Sequence, residues 1–189
     1  MPLTNNDTLR RLRYVLNLVD PQLEEIFKLS GRDLDRSGIE LYMKREGEEG
    51  YEECPDGVLA DFLDGLILWR RGPKPDAAAP AAAPSGKAPR SPLPGSAPRG
   101  PAARAGRLTN NDVLKKLRIA LELKEDDMIE VLRRAQFMVS PSELGALFRQ
   151  KGHRNYKECG DQFLRNFLTG LEGYRTFNRT PDPTRPSGR

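Results

Sequence analysis

LTNNDTLRRLR at Leu3–Arg13 recurs as LTNNDVLKKLR at Leu108–Arg118, and this repetition decides the fold. The separation of 105 residues continues without a gap, because Tyr51-Glu-Glu-Cys54 returns as Tyr156-Lys-Glu-Cys159. About a third of the aligned positions are identical, far more than random pairing of two segments gives. We infer that the chain contains an internal duplication.

The duplication divides the 189 residues into four segments. Copy 1 covers residues 1–71, and copy 2 covers residues 108–174. Residues 72–107 are rich in Ala, Pro and Gly, a composition that buries too little apolar surface to offset its ordering entropy and predicts a disordered linker. The tail at residues 175–189 has a similar composition, so we expect it to be disordered as well.

Each copy has the pattern of four short helices. In copy 1, the N-cap residue types at Asn5–Asp7 precede Leu9, Leu12 and Leu16, which repeat at helical spacing. Copy 2 marks its third helix with Ser140-Pro141-Ser-Glu143, the pattern of a capping box. No convincing segment alternates with period two, so the predicted class is all-α.

A unit of this size buries only about 60% of its extended surface and is marginally stable alone. We therefore expect the two copies to dock about a pseudo-twofold axis. Two unjoined domains are the alternative.

The net charge of +4 is distributed unevenly, with −5 in copy 1, +5 in the linker, +1 in copy 2 and +3 in the tail. The positive charge thus lies mainly in segments predicted not to fold. No apolar run reaches the roughly 18 residues of a membrane span, and the first residues lack the apolar core of a secretory signal. These features predict neither a membrane partner nor a secretory signal.

The T-N-N-D-x-L-[KR]-[KR]-L-R segment, a tyrosine before x-E-C, and F-L-x-G-L all occur twice. In combination they resemble the YehS-like family of uncharacterised bacterial proteins, which contain this domain in tandem. The resemblance covers both copies and excludes the linker and the tail. It implies a helical tandem architecture in a bacterial cytoplasm and implies no catalytic residue. The long linker departs from the family, whose members have a shorter joint.

Arg13 and Arg118 lie on the apolar side of the first helix of each copy. A partly buried guanidinium needs carboxylate or carbonyl partners. We predict a structural clamp within each copy, with an anion-binding site as the alternative. The predicted partners are acidic residues at the start of the last helix: Glu53 and Asp56 in copy 1, Glu158 and Asp161 in copy 2.

Cys54 and Cys159 precede the last helix of each copy, where a thiol can have a lowered pKa. A Cys–His pair would make a nucleophile, but Glu48 of copy 1 stands where copy 2 has His153, the single histidine. We interpret both cysteines as small apolar residues kept reduced. A cysteine-dependent enzyme and a disulfide between the copies are the alternatives.

The loop between the third and fourth helices reverses its charge between the copies. Aligned positions can meet across a pseudo-twofold axis, so we hypothesise that the two loops face each other and orient docking. Two solvated loops that diverged are the alternative. The acidic set is Glu46, Glu48, Glu49 and Glu52, and the aligned set that is basic or can become so is Lys151, His153, Arg154 and Lys157.

The first helix carries a basic pair in both copies, Arg10-Arg11 and Lys115-Lys116. These side chains could contact phosphates of a nucleic acid, or could form a solvated face. No glycine-rich phosphate loop, Ser-His-Asp set or HExxH motif occurs. We predict a non-catalytic binding or regulatory protein without cofactor or metal. A protein is the expected partner, and a nucleic acid, bound through the basic pairs, the linker and the tail, is the alternative.

Overall fold

Eight α-helices and no strand form in residues 3–72 and 107–177, the part of the chain that the computed structural model describes. Copy 1 contains α1 (Asn5–Val15), α2 (Asp20–Leu29), α3 (Arg36–Met43) and α4 (Asp56–Arg71). Copy 2 contains α5 (Asn110–Ala120), α6 (Glu125–Arg134), α7 (Pro141–Leu147) and α8 (Asp161–Phe177). The all-α class with four helices in each copy is confirmed. Nearly all of the predicted linker and tail lies outside the described residues.

The N-caps of the first helices are threonines, so the expectation that Asn5–Asp7 cap α1 is wrong. The Thr4 hydroxyl accepts a hydrogen bond from the Asp7 backbone N–H at 3.1 Å. Thr109 accepts from the Asp112 N–H at 3.3 Å in the same way. A threonine satisfies an orphan donor of the first turn, which leaves the asparagine side chains free for other contacts.

The capping box predicted for copy 2 is confirmed at the start of α7. The Ser140 hydroxyl accepts from the Glu143 N–H at 3.3 Å, and the Glu143 carboxylate accepts from the Ser140 N–H at 3.1 Å. The third helix of copy 1 uses a different residue type, because the Asp35 carboxylate accepts from the Gly38 N–H at 2.9 Å. The two copies therefore start equivalent helices with different caps.

Within each copy, the second helix packs on the last one, α2 on α4 and α6 on α8. The leucines predicted from helical spacing, Leu9, Leu12 and Leu16, are all buried. Phe27 of α2 and Phe62 of α4 are fully buried, and their ring centroids lie 5.5 Å apart. These contacts form the copy 1 part of the hydrophobic core.

The copies dock in the pseudo-symmetric arrangement expected from the sequence. Helix α5 packs on α4, and α1 packs on α8. Because α5 repeats α1 and α8 repeats α4, these are the same contact made twice. The buried apolar side chains of both copies form a single continuous cluster.

Two equivalent pairs of polar contacts join the copies. The Leu108 N–H donates to the Asp56 carboxylate at 3.0 Å, and the Leu3 N–H donates to the aligned Asp161 at 3.3 Å. The second pair joins aligned positions too. Lys116 Nζ lies 2.5 Å from Asp64 Oδ1, and Arg11 Nη1 lies 3.4 Å from Thr169 Oγ1. These directional contacts specify one orientation of the copies on an otherwise apolar interface.

Candidate functional site

The paired asparagines connect the first helix to the start of the last helix. Asn6 is almost completely buried; its Nδ2 donates to the Tyr42 and Glu52 carbonyls at 3.0 and 2.8 Å, and its Oδ1 accepts from the Cys54 N–H at 2.9 Å. Asn5 Nδ2 donates to Asp56 Oδ1 at 2.8 Å. Copy 2 repeats these contacts with Asn110, Asn111, Leu147, Lys157, Cys159 and Asp161. The asparagines are therefore structural tethers.

The structure does not bring Arg13 to Asp56 or Glu53, so the predicted clamp of copy 1 is wrong in its partners. Arg13 Nη2 contacts Asp20 Oδ1 at 2.5 Å, because Asp20 opens α2 immediately after the turn. Asp56 instead receives the Asn5 side chain and the Leu108 N–H. Glu53 is exposed.

The clamp predicted for copy 2, between Arg118 and Asp161 or Glu158, is also wrong. Arg118 Nε donates to the Leu123 carbonyl at 3.3 Å, and its guanidinium lies 4.8 Å from the centre of the Phe148 ring. Asp161 is occupied by Asn110 and the Leu3 N–H, and Glu158 is exposed. Arg118 has no carboxylate partner among the described residues.

The two charged loops contact their own copies, not each other. In copy 1, Lys44 Nζ donates to the Glu49 carbonyl at 2.6 Å, and Glu48 accepts from the Arg45 N–H at 2.7 Å. In copy 2, Lys157 pairs with Glu143 at 3.6 Å. Within residues 3–72 and 107–177 no ion pair joins the predicted docking sets, so they do not form the interface. All residues of the two predicted sets are exposed: Glu46, Glu48, Glu49, Glu52, Lys151, His153, Arg154 and Lys157.

The basic pairs of the first helices do not form an outward patch. Arg11 and Lys116 lie at the interface between the copies, where they contact Thr169 and Asp64. Arg10 donates to the Lys44 carbonyl at 2.8 Å and pairs with Asp7. Lys115 is exposed and has no ion-pair partner in the described part of the chain.

Both cysteines are buried free thiols that form no disulfide, with exposed fractions of 2% for Cys54 and 3% for Cys159. Desolvation by burial raises the pKa of each thiol to about 12. A thiolate at neutral pH is therefore strongly disfavoured at both positions. His153, the potential basic partner, is exposed on the loop of copy 2.

We expect neither thiol to react with a chromogenic disulfide reagent at pH 7.5 on the time scale of minutes, and both to react at once in guanidinium chloride. The raised pKa of the two thiols also makes the free energy of unfolding depend on pH. Above pH 9 the unfolded thiols ionise while the folded thiols stay protonated up to about pH 12, so the free energy of unfolding falls as the pH rises through this window. A thiol titrated rapidly in the folded chain would contradict the burial.

Copy 2 carries an apolar cavity of about 220 Å³ at its surface. The half-buried Phe137, Val139 and Phe163 line its wall, and the rings of Phe137 and Phe163 meet edge to face with centroids 5.6 Å apart. Met138 lies at its edge and is 79% exposed. Glu143, Lys157 and Glu158 supply the charged rim.

Copy 1 has no aromatic side chain at the positions aligned with Phe137 and Phe163, and one of these positions belongs to an ion pair. Arg32, aligned with Phe137, donates from Nε to Asp61 Oδ2 at 2.7 Å, and Asp61 is 3% exposed. Val58 stands in place of Phe163. The cavity residues were not singled out from the sequence. The exchange of Arg32 for Phe137 between aligned copies is the signal that could have found them.

Two larger open grooves lie where the copies meet. One, of about 720 Å³, lies between α1 and α8 and has three arginines and three carboxylates in its lining, so its formal charges balance. The other, of about 380 Å³, lies between the end of α4 and α5 and has an excess of cations.

Neither a metal-binding cluster nor a bilayer-spanning helix occurs in residues 3–72 and 107–177. No three His, Cys, Asp or Glu side chains gather there as a metal site requires. None of the helices is long and apolar enough to cross a membrane.

The fold and its surfaces define a class of tandem-duplicated, all-helical proteins in which two equivalent units share one core. The chain belongs to the family described as a protein of unknown function (DUF1456), whose model matches residues 5–72 and 110–175, one segment in each copy. Together with the relative described next, this match confirms the resemblance to a YehS-like family.

A relative in Escherichia coli strain K12 agrees with this assignment. The chain is 41% identical to the uncharacterized protein YehS over 167 residues, which cover 88% of this chain and 93% of YehS. No solved structure matches the chain.

Proposed function

We propose that the chain is a non-catalytic binding protein that presents the apolar cavity of copy 2 to a partner protein. The observation that carries the proposal is the exposed Met138 beside the aromatic wall of Phe137 and Phe163. Exposed apolar surface next to a concave pocket is typical of a protein interaction site.

The difference between the copies supports a binding role for this surface. Both copies share the same helices, yet copy 2 has Phe137 and Asn166 where copy 1 has the Arg32–Asp61 ion pair, and Phe163 where copy 1 has Val58. The aromatic wall is therefore a feature of copy 2 that the aligned positions of copy 1 lack, and it fits a single partner site.

The rim of the cavity indicates the chemistry of the partner. Glu143 pairs with Lys157, whereas Glu158 is exposed and forms no ion pair with any described residue. The cavity volume of about 220 Å³ accommodates one large apolar side chain. The matching partner presents an apolar side chain beside a basic residue.

The absence of catalysis is part of the proposal. Its support is that the two thiols are buried with raised pKa values. Three of the four basic first-helix residues considered for nucleic-acid binding are held in contacts within the body. A protein partner is therefore favoured over a nucleic acid.

Affinity capture from a nuclease-treated lysate of the organism that encodes this chain tests the proposal, with Met138→Glu compared to the wild-type chain. The substitution places a charge at the cavity edge, and the exposure of Met138 leaves the fold unaffected. We expect the partner protein to stay bound to the wild-type chain at high salt, and we expect Met138→Glu to lose this binding. Tyr14→Glu is the matched control, because Tyr14 is 71% exposed on copy 1.

Capture that is equal for Met138→Glu and the wild type would contradict the cavity as the binding site. Capture of no protein by the wild-type chain would contradict the proposed function. Retention that depends on nucleic acid and disappears at high salt would support the nucleic-acid alternative instead.

A further inference from the structure

The groove between the end of α4 and α5 has an excess of positive charge. Arg71, Lys115 and Arg118 line it together with a single carboxylate, Glu122. The formal charge of the lining is therefore +2. Arg71 and Glu122 approach to 3.3 Å, but their side chains are 48% and 71% exposed, so solvent screens their pairing.

Arg118 is held in place without a counter-charge. Its guanidinium lies over the Phe148 ring, and its Nε donates to the Leu123 carbonyl. The rest of the guanidinium retains donors that no described residue satisfies with a carboxylate. A partly buried cation of this kind favours an anion beside it.

Arg13, the aligned arginine of copy 1, has the carboxylate partner that Arg118 lacks. Arg13 contacts Asp20, which also receives Arg36 at 3.0 Å. Copy 2 has Glu125 at the position of Asp20, but Glu125 is exposed and does not pair with Arg118. The neutralising contact of copy 1 is therefore absent from copy 2.

We propose that this groove binds a small organic phosphate monoester. The phosphate contacts Arg118 and Lys115, and the apolar part of the ligand packs against Ile119 and Phe148. A phosphate monoester carries a charge of about −1.5 to −2 at pH 7, which matches the +2 of the lining. The groove volume of about 380 Å³ lies within the usual range of small-molecule sites.

Calorimetric titration of the full chain tests this site, with phenyl phosphate as the minimal probe and AMP as a larger one. Inorganic phosphate and benzyl alcohol each supply only one half of the ligand chemistry. We expect phenyl phosphate and AMP to bind more tightly than inorganic phosphate, and benzyl alcohol to bind least. Ligand binding also raises the Tm by mass action.

The variants Lys115→Gln and Arg118→Leu are expected to weaken phenyl phosphate binding by roughly tenfold each, as loss of a charge-assisted hydrogen bond does. Lys115 is exposed, so its replacement leaves the fold intact even if Arg118→Leu does not. Arg154→Gln removes an exposed cation that does not line the groove and is expected to leave binding unchanged.

Several results would overturn the proposal. They are no binding of either organic phosphate, inorganic phosphate binding as tightly as phenyl phosphate, and equal binding by wild-type and Lys115→Gln chains. The site shares no lining residue with the copy 2 cavity. Its failure is therefore distinguishable from failure of the protein-binding proposal.

Discussion

Asn6→Ala is expected to lower the free energy of unfolding by about 3 kcal/mol or more, because it removes three hydrogen bonds to the backbone, two of them buried and one part-buried. Two carbonyls, of Tyr42 and Glu52, lose their donor, and the Cys54 N–H loses its acceptor. A buried polar group left unsatisfied costs about 1–3 kcal/mol. Urea unfolding followed by circular dichroism measures the loss.

Asn155→Ala provides the matched control for this prediction. Asn155 lies in the exposed loop of copy 2, where its backbone N–H, not its side chain, donates to His153. Its replacement is expected to change the free energy of unfolding by less than about 0.5 kcal/mol. A loss for Asn6→Ala no larger than this would show that the tether does not stabilise the fold.

Asn111→Ala extends the test to the docking of the copies. Asn111 repeats the contacts of Asn6 in copy 2, so we expect a loss of similar size. Because the buried side chains of the two copies form one cluster, both substitutions are expected to shift a single cooperative transition. Two separate transitions, each shifted by only one of the substitutions, would contradict the shared core.

The duplication, the helices and their buried faces could be predicted because they depend on periodicity and composition. The leucine spacing of the first helix holds regardless of what packs against it. The capping box at Ser140 and Glu143 is a local pattern, and the structure reproduces it. The docking of the copies followed from the small size of each unit.

Side-chain partners were harder to predict because they depend on which helices the tertiary structure brings together. Helical spacing placed Arg13 on the apolar side of α1, but the nearest carboxylate belongs to Asp20, at the start of the next helix. The acidic start of α4 is used by Asn5 and by the Leu108 N–H of the other copy. The sequence of one helix does not show such competition for an acceptor.

The candidate sites depend on sequence differences between the copies whose structural effect can be recognised only once the side-chain contacts are known. Phe137 aligns with Arg32, but the consequence appears only when Arg32 is seen to reach Asp61. The groove at Arg118 similarly depends on the absent counterpart of the Arg13–Asp20 contact. Charge reversal in the loops was the more obvious difference in the sequence, and it does not form the interface.

Gly170→Ala is expected to lower the free energy of unfolding by at least about 3 kcal/mol, although alanine normally stabilises a helix relative to glycine. A Cβ at Gly170 would lie 1.8 Å from the Val131 carbonyl oxygen, and at the aligned Gly65 it would lie 1.9 Å from the Ile26 carbonyl oxygen. Both obstacles are backbone atoms, so the second helix must move away from the last one. Overpacking that forces side chains and backbone to shift typically costs about 1–3 kcal/mol and occasionally more, and so close an approach to backbone atoms lies at the upper end.

Gly173→Ala, one turn further along α8, makes the experiment decisive. A Cβ there meets nothing within 4 Å, so only the helix propensity changes, and the free energy of unfolding is expected to rise by up to about 1 kcal/mol. The same substitution in the same helix is thus expected to have opposite signs at positions three residues apart. Equal effects at Gly170 and Gly173 in urea unfolding would show that α6 and α8 do not approach as closely as the fold requires. In that case, helix packing would not explain why both copies have glycine in the F-L-x-G-L motif, at Gly65 and Gly170.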